Sequence, residues 1–287
     1  MKSISSQVPT KTYASVDSES VIRISPVLEQ ECRILENRHL ADQYFHMVLN
    51  CPRGARGAAG QFYHLLCPGD DEAQPFLRRP MSIYAVEPEQ GLLEFLYKVT
   101  GMGTQGLARL GAGDLLNVLG PLGCGFQLAA QWRSIVIVGR GAGLATLAPL
   151  AETASHLNIA VTAILSARTP EAVVSAERFR DYGAAIVAAT DAEGTSSMED
   201  VERQLRALMD AGKADAFFTC GSKRLAALLQ RLSAEKNIPV QIALEQQMAC
   251  GLGMCHCCVR EFREAGELVH RKVCAEGPVF NLAEVVL

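Results

Sequence analysis

Ser134-Ile-Val-Ile-Val-Gly139-Arg140-Gly141-Ala142-Gly143 (SIVIVGRGAG, 134–143) divides the chain into two textures. The run SIVIV is continuous and apolar, as a strand buried on both faces of a parallel sheet requires. Gly139, Gly141 and Gly143 follow, and then a helical run through Glu152-Thr-Ala-Ser-His-Leu157. Glycines between a strand and a helix let a phosphate approach backbone amides at the helix N-terminus, where the dipole favours negative charge. The spacing fits neither G-x-G-x-x-G nor a Walker loop, so close packing of helix on strand is the competing reading.

Downstream, strands and helices alternate. AVTAILSA (160–167), AAIVAAT (184–190) and AFFTCG (216–221) read as strands, with EAVVSAERFRDYG (171–183) and MEDVERQLRALMDAG (198–212) as the helices between them. That alternation predicts a parallel sheet with crossover helices. Upstream, short β-like runs such as YFHMVLNC (44–51), LLEFLYKV (92–99) and DLLNVLG (114–120) are punctuated by Gly, Pro and Asp. They predict a small antiparallel barrel or sandwich. The expected divisions are a Ser- and Thr-rich tail over 1–20, an antiparallel β unit over 21–130, an α/β unit over 131–244 and a cysteine-rich region over 245–287.

At 287 residues the chain is long enough for two cores. Its net charge of −4 and pI near 5.9 leave no electrostatic footprint for nucleic acid. The longest apolar stretch, near 134–151, is broken by Arg140 and several glycines, so no membrane span is predicted. Nothing at the N-terminus reads as a secretion signal, which predicts a cytoplasmic protein.

Half of the ten cysteines, Cys250, Cys255, Cys257, Cys258 and Cys274, fall in one short segment. Cys250, Cys255 and Cys258 form C-x4-C-x2-C, and Cys274 follows after fifteen intervening residues. Four thiolates at that spacing suit a [2Fe-2S] cluster, and Gly251 and Gly253 allow a tight loop that aims amides at sulfur. A structural zinc site is the alternative, although zinc pairs usually repeat C-x2-C. Cys257 is the surplus thiol.

Two further stretches carry chemistry only in context. Arg78-Arg79-Pro80-Met81-Ser82-Ile83-Tyr84 offers guanidinium forks for a pyrophosphate and a hydroxyl for a flavin ring, although alone a solvated Arg pair is the plainer reading. Gly101-Met102-Gly103-Thr104-Gln105-Gly106, taken alone, reads as a loop.

In this order the motifs resemble the ferredoxin-NADP reductase superfamily, and within it the electron-transfer subunits of class B dihydroorotate dehydrogenases, from about Val27 to Val286. The resemblance implies an antiparallel FAD-binding barrel, an NAD-binding α/β domain and a C-terminal iron-sulfur region. It implies that Arg79, Pro80, Met81 and Ser82 meet FAD, with Gly103 and Thr104 on its phosphates. By the same likeness Gly139, Gly141, Gly143, Cys220 and Gly221 belong to the loops that hold the nicotinamide dinucleotide. Cys250, Cys255, Cys258 and Cys274 correspond to the cluster ligands, and LGPLGCGF (119–126) to the link between domains.

Two positions depart from the family pattern: Arg140 stands where Gly is usual, and Thr146 where Pro is usual. Arg168, after the second parallel strand, faces either a 2′-phosphate or solvent, and NADH is preferred by family habit. A nicotinamide gives two electrons at once and a cluster takes one, so a flavin must stand between them. The implied partner is a catalytic flavoprotein subunit of the dihydroorotate dehydrogenase kind in a hetero-oligomer, serving pyrimidine biosynthesis. No residue here is placed for carbon chemistry. The competing expectations are a reductase component for an oxygenase or another flavoenzyme, and a zinc-stabilised binding module without catalysis.

Overall fold

A computed structural model of the chain describes residues 26–70 and 73–287, so the tail expected over 1–20 lies outside the described residues. The first unit is antiparallel. Its strands are β1 (Leu28–Ala41), β2 (Tyr44–Asn50), β3 (Phe62–Leu65), β4 (Arg79–Ser82), β5 (Ala85–Glu87), β6 (Leu92–Lys98) and β7 (Leu115–Leu122), with α1 (Met102–Arg109) between the last two. They lie in the order β4-β3-β7-β1-β2-β6-β5. The sheet curls because β4 runs on into β5: the Ile83 amide still bonds Gln61 O, whereas the Tyr84 amide has moved to Glu94 O on β6. One continuous stretch thus changes partner and closes the curl. Alternation along β1 turns Cys32 and Ile34 inward against Met47 and Leu49 of β2 and Val118 of β7.

The second unit alternates strand and helix: β8 (Ser134–Arg140), α2 (Gly143–His156), β9 (Ala160–Ala167), α3 (Ala176–Asp181), β10 (Ala185–Thr190), α4 (Met198–Asp210), β11 (Ala216–Cys220), α5 (Lys223–Lys236) and β12 (Val240–Ala243). The order is β10-β9-β8-β11-β12, with β15 (Val279–Asn281) added antiparallel at the edge. Ile135 to Val138 are wholly buried, as the continuous apolar run predicts for a central strand. The order reverses between β8 and β11, which are adjacent and parallel. Ligands of doubly wound sheets bind outside the carboxyl ends of strands at such a switch point.

Between β12 and β15 the chain forms the cysteine loop, a hairpin of β13 (Val259–Glu264) and β14 (Glu267–Lys272), and one turn of helix, α6 (Val273–Glu276). Phe262 anchors the hairpin, wholly buried with its ring centroid 4.5 Å from that of Phe280.

Two local expectations are corrected. The Gly101–Gly106 stretch is helical, because Thr104 Oγ1 accepts from the Thr100 and Gly101 amides and donates to Gly101 O, closing the first turn of α1. The helix expected over 171–183 shrinks to a short turn at Pro170–Ala172 and the six residues of α3. Val173 and Val174 are β-branched and Ser175 has a φ of 80°, which breaks the helical run.

Candidate functional site

The loops after β8 and β11 lie side by side at the switch point. Gly143 opens α2 so close to β11 that a Cβ there would stand 2.5 Å from Cys220 O. Gly141 and Gly221 have φ of 59° and 99°, in the left-handed region that favours glycine. Gly139 differs: a Cβ would come 2.7 Å from Leu147 and 2.8 Å from Leu144, so its bareness serves the packing of α2 on β8. Cys220 is fully buried, and burial first, then the charge of Glu245, pushes its thiol up to about 12. It is a neutral thiol at pH 7, not a nucleophile.

Arg140, the first departure from the family pattern, turns away from this loop pair. Its guanidinium donates to Ser166 Oγ at 2.7 Å and to Asp191 Oδ2 at 2.6 Å, tying the ends of β8, β9 and β10. Thr146, the second, does the opposite. From the first turns of α2 it donates to Ser82 Oγ on β4 at 2.8 Å, so it joins the α/β unit to the strand expected to carry flavin.

β4 holds Arg79, Pro80, Met81 and Ser82 in register with Leu65, His64, Tyr63 and Phe62 of β3. Arg79 lies flat against the opening of α1: a Cβ on Gly103 would sit 2.9 Å from its Nε. A guanidinium beside a helix N-terminus is a fitting seat for phosphate. The Thr104 hydroxyl and the Thr100 and Gly101 amides are spent on closing the turn, so the local contribution to an anion falls to the remaining amides of that turn. A cleft of about 890 Å³ opens beside this strand, lined by Leu77, Arg79, Pro80, Gln246, Met248 and Cys257 among others. Arg78 also lines the cleft, and its guanidinium donates to Glu29 at 2.6 Å.

The cysteine loop is shaped by amides that point at sulfur. Leu252 N donates to Cys250 Sγ at 3.3 Å, Gly253 N to Cys274 Sγ at 3.2 Å and Cys274 N to Cys258 Sγ at 3.3 Å. Gly251 and Gly253, with φ of 70° and 78°, make these turns possible. Burial works to raise the Cys250 thiol, but hydrogen bonds from nearby amides and from Cys255 outweigh it and bring the group to about 6. Burial, and then a hydrogen bond shared with Cys258, pushes Cys274 up to about 12. The thiols therefore meet in two pairs, Cys250 with Cys255 and Cys258 with Cys274. Among the described residues no three or more His, Cys, Asp or Glu converge as ligands of a single metal ion. Paired thiols backed by amides fit a binuclear cluster, in which each pair would share one iron. Cys257 stands apart, its thiol directed at Gln247 O 3.8 Å away.

Some contributors were not anticipated. Gln246 and Met248 line the cleft from a segment with no motif. Arg178 of α3 clamps the two units, donating to Tyr84 O at 2.9 Å and Glu94 at 3.0 Å. His64 sits wholly buried between β4 and Gly251. Each depends on pairing distant segments, and only the placement of a polar residue amid an apolar strand, as at His64, leaves a trace in sequence.

Comparison with known proteins extends this geometry. Residues 245–286 match the family described as the iron-sulfur cluster binding domain of dihydroorotate dehydrogenase B. The dihydroorotate dehydrogenase B (NAD(+)) electron transfer subunit of Desulforamulus reducens is 31% identical over 257 residues, covering 89% of this chain and 97% of the relative. That of Bacillus caldolyticus is 37% identical over 232 residues, 79% and 86% of the two chains. Among solved structures, an NADH-dependent reduced ferredoxin-NADP oxidoreductase superposes with a TM-score of 0.74 at 25% identity over 89% of each chain. A ferredoxin reductase of carbazole 1,9a-dioxygenase shares the fold, with a TM-score of 0.60 at 20% identity over 76% of this chain and 70% of the other. With relatives above 30% identity matched over nearly their whole length, the chain belongs to the family of dihydroorotate dehydrogenase B electron transfer subunits.

Proposed function

We propose that this chain carries electrons between a catalytic dihydroorotate dehydrogenase subunit and NAD(H), by way of FAD and a [2Fe-2S] cluster that it holds itself. The observation that carries the reading is that the candidate sites adjoin: Thr146, beside the switch point, bonds Ser82 of β4, and the cleft beside β4 is lined by both Arg79 and Cys257. Bound flavin supplies the exchange between the two-electron hydride of a nicotinamide and the single electrons of the cluster.

The chain's own residues bind and orient. Arg79 and the opening amides of α1 hold the flavin phosphates, with Pro80, Met81 and Ser82 along the ring. Gly141, Gly143 and Gly221 leave room for the dinucleotide backbone. Cys250, Cys255, Cys258 and Cys274 would hold the cluster. Ligating thiols must stay reduced, which supports a cytoplasmic location. Among the described residues no helix is long and apolar enough to cross a membrane.

The cluster loop presents Met254, 80% exposed, and Leu252, 47% exposed. Apolar side chains beside a carrier are a docking surface for the catalytic subunit, and the net flow in that complex runs from dihydroorotate outward to NAD. The test mixes this chain with a candidate catalytic subunit and follows dihydroorotate-dependent NAD reduction, then repeats it with Leu252→Asp. Coupling in the mixture, none in either chain alone, and its loss in Leu252→Asp with NADH-driven dye reduction intact are expected. Turnover of dihydroorotate by this chain alone, or an unimpaired Leu252→Asp protein, would overturn the reading.

A further inference from the structure

Thr146 lies in the first turns of α2, buried where that helix meets β11. Gly143, one turn earlier on the same face, is pressed so close to β11 that a Cβ on it would stand 2.5 Å from Cys220 O. The same approach brings the Thr146 hydroxyl within hydrogen-bond reach of the buried Cys220 thiol. On its other side that hydroxyl donates to Ser82 Oγ of β4 at 2.8 Å. Three side chains, each with a single hydrogen to give, therefore stand in a row from the end of β11 to the edge strand of the curled sheet.

The row has one consistent direction. Thr146 has given its hydrogen to Ser82, so its contact with Cys220 is made with the thiol's own hydrogen. Burial first, and then the charge of Glu245, keeps that hydrogen on sulfur at pH 7. Ser82 Oγ accepts from Thr146, and its own hydrogen bonds no group among the described residues, so the acceptor for it comes from outside the chain. β4 also carries Arg79 and Pro80, which line the cleft. Hydrogen bonds aligned in one direction polarise one another, which makes the last hydrogen of the row a better donor than an isolated serine.

We propose that Thr146 is a positioning residue: by occupying a lone pair of Ser82 Oγ, it commits the Ser82 hydrogen to the flavin ring. A donor fixed there stabilises the charge that the ring gains with its electrons, and so favours the reduced flavin. Valine or the family's proline at 146 breaks the row while leaving Ser82 in place. No covalent bond is made or broken. The inference rests on the flavin reading above.

The test is an anaerobic redox titration of the FAD-loaded protein, with the flavin midpoint followed by absorbance. Thr146→Val should move the two-electron equilibrium about tenfold toward oxidised flavin, a fall of about 30 mV, while Thr146→Ser stays within about threefold of the parent. Ser82→Ala should give a fall of similar size. In that background Thr146→Val should change the midpoint no further, because Thr146 acts only through Ser82, whereas a merely loosened contact between the two units would add its own effect. An unmoved midpoint in Thr146→Val, or an equal fall in both backgrounds, would overturn the proposal. If Thr146→Val does not retain FAD, Thr146→Pro is titrated in its place, with the same fall expected and an unmoved midpoint refuting the proposal. Parent protein that takes up no FAD would instead strike the flavin reading, and this inference with it.

Discussion

Thr146 of α2 donates its hydroxyl hydrogen to Ser82 Oγ of β4 across 2.8 Å, and both groups lie where the parallel sheet meets the curled one. Thr146 is 5% exposed and its oxygen also reaches the Cys220 thiol, so a single hydroxyl ties α2 both to the proposed flavin strand and to the end of β11. The family's usual proline at this place has no hydroxyl to give.

A double-mutant cycle on this pair isolates the contact. Ser82→Ala and Thr146→Val should each lower stability, by about 1–3 kcal/mol where a buried donor loses its acceptor. The double variant should fall short of their sum by at least about 0.5 kcal/mol, measured by denaturant unfolding of the flavin-loaded protein. Additive losses would mean that the two hydroxyls act independently.

Glu94 predicts a pH dependence. Burial alone would raise its carboxyl, but the hydrogen bond to His46 and the charge and hydrogen bond of Arg178 outweigh it and hold the group below the ordinary carboxylate range. A depressed folded value contributes stability above the unfolded value of about 4.3 and loses it as pH falls through the folded one. Glu94→Gln should therefore be less stable than the parent by about 1–3 kcal/mol at neutral pH. In thermal melts from about pH 7 down to about pH 3, that gap should close below the ordinary carboxylate range. A gap that stays constant with pH would show that charge on Glu94 contributes nothing.

Cys257 is expected to be dispensable for the cluster, since its thiol turns to Gln247 O while Cys258 pairs with Cys274. Iron content should persist in Cys257→Ser and collapse in Cys255→Ser or Cys258→Ser. Iron loss confined to Cys257→Ser would reverse the ligand assignment.

What could be read from the residues was whatever is written locally. SIVIVGRGAG declares a central strand and its turn within ten residues, and the cysteine spacing declares paired thiols within a short segment. α1 was missed because GMGTQG has weak helical preference, and the turn is closed by Thr104 and by contact with Arg79 and Pro68 rather than by propensity. α3 was overextended because the apolar spacing of EAVVSAERF is helical while its valines and Ser175 are not accommodated in the helix formed. Ser82 and Thr146 are 64 positions apart, and Glu94 and Arg178 are 84 apart. Contacts of that range follow from how the sheets meet, and no local pattern encodes them. Likewise, His64 beside Gly251 joins a strand of the first unit to a loop near the other end of the chain.

Whether one chain holds both carriers between a nicotinamide and a partner is decided on anaerobically prepared protein. FAD, iron, acid-labile sulfide and zinc are quantified, and EPR spectra are recorded before and after adding NADH. One FAD and about two irons with matching sulfide per chain are expected, with a cluster signal that appears on reduction by NADH. One zinc per chain with no iron or sulfide, or a cluster that NADH leaves oxidised while the flavin is reduced, would contradict that expectation.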